Sequence, residues 1–222
     1  MAIRSVIFDM DGLMIDTERL SASGWEKVFR EAGLPFAPEI LSSCRGASAA
    51  TAYERWRAFL GHDFDFEELN RKKTAFCESV MEREGIPVKV GLRSLLEHLK
   101  SNGYTLCLAT STSEQKATAQ LTKIGVFDLF DEVAFGSMIT NYKPAPDIFL
   151  KAIELLGRAP EECLVLEDSP NGIRAAAAAG AKPMMIPDLT PVTDDLRPLL
   201  FAEGVTLLDV IPLLEKERTG AL

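Results

Sequence analysis

Four short, largely apolar runs constrain this chain more than any other feature: "IRSVIF" (3–8), "TLCLA" (105–109), "CLVLE" (163–167) and "KPMMI" (182–186). A strand with one wet face alternates apolar and polar residues, whereas a strand covered on both faces reads as a continuous apolar stretch. The four runs therefore predict a buried parallel sheet. Helical patterns lie between them. Leu92, Leu95, Leu96 and Leu99 fall at i, i+3, i+4 and i+7, and Gly103 follows as a stop signal. "PDIFLKAIELLG" opens on Pro146 and closes on Gly157, matching the preference of helices for proline first and glycine after. "SPNGIRAAAAAG" offers Ser169 as N-cap, Pro170 in the first turn, an alanine run suited to close packing on a sheet, and Gly180. Strands alternating with helices in this way imply an α/β domain with right-handed crossovers.

Residues 17–87 break the rhythm. "RLSASGWEKVFREAG", "ATAYERWRAFLG" and "FEELNRKKTAFCESVMEREG" are helical stretches with no convincing strand among them. They predict a helical subdomain at 17–87, inserted between core segments 1–16 and 88–222. Residues 35–38 and "GIPVKVG" (85–91) read as bends or hinges. Trp25, Phe29, Tyr53, Trp56 and Phe59 recur in pairs at helical spacing, which places them in the insert's own core.

Composition narrows the partners. A length of 222 residues suits one main domain with a modest insert. A net charge of −9 argues against nucleic acid, whose phosphates need clustered Lys and Arg, and against an anionic membrane surface. No apolar stretch approaches the roughly 18 residues of a membrane span. The four cysteines lack metal or disulfide spacing, and Cys107 and Cys163, inside apolar runs, read as buried thiols. The chain enters its first strand without a charged-then-apolar leader. A monomer in a reducing cytoplasm is the expectation.

Ligands of open α/β sheets bind beyond the carboxyl ends of the strands. Asp9 and Asp11 follow the first run, Thr110 and Ser111 the second, and Glu167 and Asp168 close the third; Lys143 precedes a helix. Each has a plain structural reading too. Asp11-Gly12 is a good turn dipeptide, Thr110 or Ser111 suits a helix cap, and Lys143 suits a wet surface. Jointly they bring several carboxylates to one sheet edge, where they would repel unless a hard divalent cation such as Mg²⁺ relieved them. One aspartate is then available as a nucleophile toward phosphorus, and its neighbour two residues on as a proton donor and acceptor. A lysine, a cation and hydroxyl donors would stabilise the transferring phosphoryl oxygens.

These motifs resemble the haloacid dehalogenase-like (HAD) phosphatases. "DMDGL" (9–13) with "IDTE" behind it is similar to their first motif, "LAT" ending at Thr110 to the second, "KPAPDIF" (143–149) to the third and "LEDSPNGIRAA" (166–176) to the fourth. The order and spacing match across nearly the whole chain. The resemblance implies a Rossmann-like sheet and a helical cap that closes over the site and reads the substrate. It implies Asp9 as nucleophile and Mg²⁺ ligand, and Asp11 as general acid/base with its carbonyl on the metal. Thr110, Ser111 and Lys143 would hold phosphate, and Glu167 and Asp168 would complete the metal shell.

Within the family, "DGL", "DTE", "KPAPDIF" and "EDSPNG" resemble the branch of β-phosphoglucomutase, sugar-phosphate phosphatases and pseudouridine-5'-phosphatase. The mutases carry a histidine shortly after the DT pair, where this chain has Ser21, and an arginine after a cap glycine, where it reads "ASAATAY" behind Gly46. Both departures favour water as acceptor, and so a phosphomonoesterase acting on a small phosphorylated metabolite. Arg45 and Ser48 are the candidates for substrate specificity. The alternatives are a β-phosphoglucomutase-type phosphomutase and a non-catalytic phosphate-binding regulator. A dehalogenase needs no Mg²⁺, and the retained Asp11, Glu167 and Asp168 speak against it.

Overall fold

The structure is a computed structural model and describes residues 2–44 and 49–220. Among these, six strands form one parallel sheet: β1 (Ser5–Phe8), β2 (Thr105–Thr110), β3 (Glu132–Phe135), β4 (Cys163–Glu167), β5 (Lys182–Met185) and β6 (Ala202–Glu203). Their order is β3-β2-β1-β4-β5-β6, and every neighbouring pair is parallel. The helices are α1 (Thr17–Glu31), α2 (Pro38–Cys44), α3 (Ala49–Leu60), α4 (Phe66–Glu84), α5 (Leu92–Ser101), α6 (Glu114–Lys123), α7 (Asp147–Leu156), α8 (Pro170–Ala178) and α9 (Val210–Thr219). None of them is long and apolar enough to cross a membrane.

The chain divides into two compact units, residues 1–15 with 88–222, and residues 16–87. In the first, the four apolar runs become β1, β2, β4 and β5. The two strands without such a run have a physical reason to lack one. β3 lies at the edge of the sheet and buries fully only Ala134 and Phe135, and β6 has two residues. Ile7, Cys107 and Val165 of the central strands pack with Ile148, Phe149 and Ala152 of α7 and with Ala175, Ala176 and Ala179 of the alanine run. Burying a large apolar side chain such as Ile7, Val165, Ile148 or Phe149 contributes roughly 1.5–3 kcal/mol relative to exposure, and an alanine less. Cys107 and Cys163 are buried thiols, and burial pushes them up to about 12 and about 11.

The second unit contains α1 to α4. Phe29 and Trp56 approach to 4.2 Å between ring centroids and Trp25 stacks on Phe66 at 5.3 Å, giving the unit its own aromatic core. Helix α2 is an addition to the three expected stretches. Its first residue is Pro38, so the bend read at 35–38 is also a helix start, a position that proline suits. Phe59 departs from the expected core: it is 41% exposed near the end of α3, where Trp56, one turn earlier, already fills the inward face. Arg45 and Ser48 lie outside the described residues.

The chain winds outward from β1 through β2 to β3, then crosses back to β4 on the other side of β1. That reversal places a topological switch point between β1 and β4, where the carboxyl ends of parallel strands leave a crevice.

Candidate active site

Sheet register sets the site. Phe8 pairs with Leu108 on one side and with Leu166 on the other, so Asp9 stands level with Ala109 and Glu167. The Asp9 amide extends the ladder by one bond, donating to the Leu166 carbonyl at 3.1 Å. Thr110, one residue further along β2, is buried at its end, and Asp168 is buried just beyond β4.

Asp9, Glu167 and Asp168 each offer a carboxylate oxygen within 4.8 Å of the others. The Lys143 ammonium spans two of them, donating to Asp9 Oδ1 at 2.5 Å and to Glu167 Oε1 at 2.6 Å. It also lies 4.8 Å from the centre of the Phe149 ring, so its stem enters the site along an aromatic face. The other Glu167 oxygen, Oε2, accepts from the Ser169 amide at 2.8 Å and hydroxyl at 2.9 Å. The Ser169 hydroxyl in turn accepts from the Gly172 amide, capping α8. One serine thus starts the helix and fixes Glu167. Its capping role was readable from the sequence; the bond to Glu167 was not.

Two glycines make room. Gly12 has φ +86°, a conformation L side chains rarely adopt, and a Cβ on it would lie 2.2 Å from Asp168 Oδ2. A Cβ on Gly172 would lie 1.8 Å from the Glu167 carboxyl. No side chain other than hydrogen fits at either position without displacing an acid.

Asp11 occupies the turn after β1, which is closed by the Gly12 amide donating to the Ile15 carbonyl at 2.9 Å. Its carboxylate is outside the group of three and accepts at Oδ2 from the Thr112 hydroxyl at 2.7 Å. Thr112 was not singled out from the sequence, although "TST" (110–112) presents three hydroxyls in a row. Its backbone amide donates to Thr110 Oγ1 at 3.0 Å. Ser111, between them, has an exposed side chain, and its carbonyl lies where a Cβ on Gly136 would collide.

Burial dominates the electrostatics. It pushes the Asp9 carboxyl above the usual carboxylate range; Lys143 pulls it back, while Glu167 and Asp11 add to the rise. Burial alone would depress the Lys143 ammonium, but Asp9 and Glu167 more than offset this and hold it above its ordinary range. Four acids at one end of the sheet face a single ammonium among these residues. The excess negative charge, the all-oxygen donor set and the mutual approach of three carboxylates fit a hard divalent cation.

A family model described as haloacid dehalogenase-like hydrolase matches residues 6–186. The chain belongs to the haloacid dehalogenase-like hydrolase family. It is therefore an enzyme, a hydrolase with the family's α/β fold. This HAD-like hydrolase is 36% identical over 190 residues to the "Probable pseudouridine-5'-phosphatase" of Drosophila melanogaster, covering 82% of this chain and 80% of the relative. It is 31% identical over 211 residues to the "Phosphorylated carbohydrates phosphatase" of Thermotoga maritima, covering 93% and 94%. Among solved structures, CbbY from Rhodobacter sphaeroides in complex with phosphate superposes with a TM-score of 0.73 at 27% identity, covering 94% of this chain and 96% of that one.

Proposed function

We propose that this hydrolase is a Mg²⁺-dependent phosphomonoesterase. It acts on a small phosphorylated metabolite, a sugar phosphate or a nucleotide-like monophosphate, through an aspartyl-phosphate on Asp9. The observation that carries this reading is the convergence of Asp9, Glu167 and Asp168 with Lys143 bonded across two of them. The phosphatases named above support the substrate class.

In this reading Asp9 attacks phosphorus as the bond to the leaving oxygen breaks, and Asp11 gives that oxygen a proton. Water then attacks the aspartyl-phosphate, Asp11 takes its proton, and Asp9 is released as a carboxylate with inorganic phosphate. Thr110 and Lys143 hold the phosphoryl oxygens, with Ser111 beside them at the end of β2. Asp9, Glu167, Asp168 and the Asp11 carbonyl hold Mg²⁺, which when bound supplies positive charge to the phosphoryl group and keeps the carboxylates ionised. All these residues belong to the α/β unit, and the inserted helical unit is left to supply selectivity. Water is the favoured acceptor: Ser21 lies in α1, and by the family resemblance it falls where the mutases carry their histidine.

The test is hydrolysis of p-nitrophenyl phosphate with and without Mg²⁺, followed by a panel of sugar phosphates and nucleoside monophosphates. Uncatalysed phosphomonoester hydrolysis is slow enough for accelerations approaching ~10²¹. Loss of the nucleophile in Asp9→Asn therefore takes activity to background. A wild-type protein inert with Mg²⁺, or an active Asp9→Asn variant, refutes the proposal. Accumulation of glucose 6-phosphate from β-glucose 1-phosphate and a bisphosphate primer, without free phosphate, replaces it with a mutase.

A further inference from the structure

The turn after β1 fixes the backbone of Asp11: the Met14 and Ile15 amides both donate to the Met10 carbonyl, and the Gly12 amide to the Ile15 carbonyl. Backbone bonds leave the two side-chain torsions of an aspartate undetermined. Proton transfer depends on those torsions, because a general acid must bring one carboxyl oxygen within hydrogen-bond reach of the leaving atom. The Thr112 hydroxyl, 101 residues away in sequence, donates to Asp11 Oδ2 at 2.7 Å. A bond to one oxygen fixes the plane of the carboxyl group and thereby the direction of the other.

Thr112 is itself held. Its amide donates to Thr110 Oγ1 at 3.0 Å, and Thr110 is buried at the end of β2. A β-branched side chain is also stiff about its first torsion. The path runs from a buried strand end through one amide and one hydroxyl to the carboxyl group of Asp11. We infer that Thr112 is a positioning residue, whose hydroxyl orients the Asp11 carboxyl for proton transfer to the leaving oxygen. This rests on the role of Asp11 proposed above and adds a residue that the four motifs do not include.

The orientation of an acid matters in proportion to the need for it. p-Nitrophenolate leaves readily without a proton, whereas phenolate, close to a tyrosinate with a pKa of about 10, gains from protonation. The two esters are otherwise nearly the same size. The test measures kcat/KM for phenyl phosphate and p-nitrophenyl phosphate with Mg²⁺ in wild type, Thr112→Val and Thr112→Ser. Valine keeps the shape and removes the donor; serine keeps the donor.

Thr112→Val is expected to lose roughly 10- to 100-fold on phenyl phosphate, within the range of general acid catalysis, and at least ~10-fold less on p-nitrophenyl phosphate. Thr112→Ser recovers most of the difference. Equal losses on both esters, or a rise in KM alone, would mean that Thr112 binds phosphate or supports the fold, and the inference falls. No loss on either ester also overturns it. Should Thr112→Val fail to fold by thermal melting, Thr112→Ala gives the same comparison. A wild type inert toward both esters removes the proposed function itself, and that outcome is distinct from the others.

Discussion

Gly172 lies in the first turn of α8, where a Cβ would meet the Glu167 carboxyl at 1.8 Å. In an ordinary helix, replacing glycine by alanine stabilises by roughly 0.5–1 kcal/mol. Here the overlap decides the sign, because overpacking costs about 1–3 kcal/mol and the side chain pushed aside is one of the three converging acids. Gly172→Ala is expected to lower the melting temperature and weaken Mg²⁺ binding together, read by thermal unfolding and by calorimetric titration. A variant as stable as wild type with unchanged Mg²⁺ affinity would show that Glu167 has another place to go. The residue scale also marks a limit of the sequence. "EDSPNG" displays Ser169 as a cap and Glu167 as an acid, but not the bond between them. The bond spans only two residues, but the Glu167 rotamer that makes it is also held by Lys143 on the other carboxyl oxygen, 24 residues away in sequence.

Between elements, Asp131 connects three segments. It precedes β3, accepts from Lys100 of α5 at 2.6 Å and accepts from the Leu106 amide of β2 at 2.8 Å. Burial opposes its ionised form, but the Lys100 ammonium and the Leu106 amide prevail and hold the carboxyl below its ordinary value of 3.8. The folded state then binds fewer protons than the unfolded one. The stabilisation is complete above that ordinary value and is lost as pH falls through the lower folded value. Asp131→Asn keeps an acceptor for the amide and removes the charge. The pair is partly exposed, so its expected cost at pH 7 is only about 1 kcal/mol, shrinking as pH falls well below the ordinary value of 3.8. Urea unfolding at neutral and at acidic pH checks this; a cost that does not vary with pH would assign the effect to packing. The helices α5, α7 and α8 were readable because period and end signals are local. Edge strand β3 was not, since a half-exposed strand has no continuous apolar run to show.

Over the whole molecule, a net charge of −9 opposes an anionic substrate, so in the proposed function the attraction is local to Lys143 and the cation proposed for the acidic cluster. A cation held only by the folded chain also stabilises it. At a hundred times its dissociation constant the gain is about 2.7 kcal/mol, which for a chain of this size raises the melting temperature by roughly 5–10 °C. Mg²⁺ is expected to produce this shift in wild type and not in Asp168→Asn. Equal shifts in both would place the ion elsewhere.

The sequence by itself determined the parallel α/β class, the central strands, the acids and hydroxyl at their ends, and the lysine ahead of α7. It could do so because burial on two faces, helical period and capping are written in neighbouring residues. Only the tertiary structure decided the strand order that puts the switch point between β1 and β4 and the register that sets Asp9 level with Glu167. It also decided the close approach of Gly12 to Asp168 and the bond from Thr112 to Asp11. Those relations join residues far apart in the chain, and their distances follow from how the strands and helices pack.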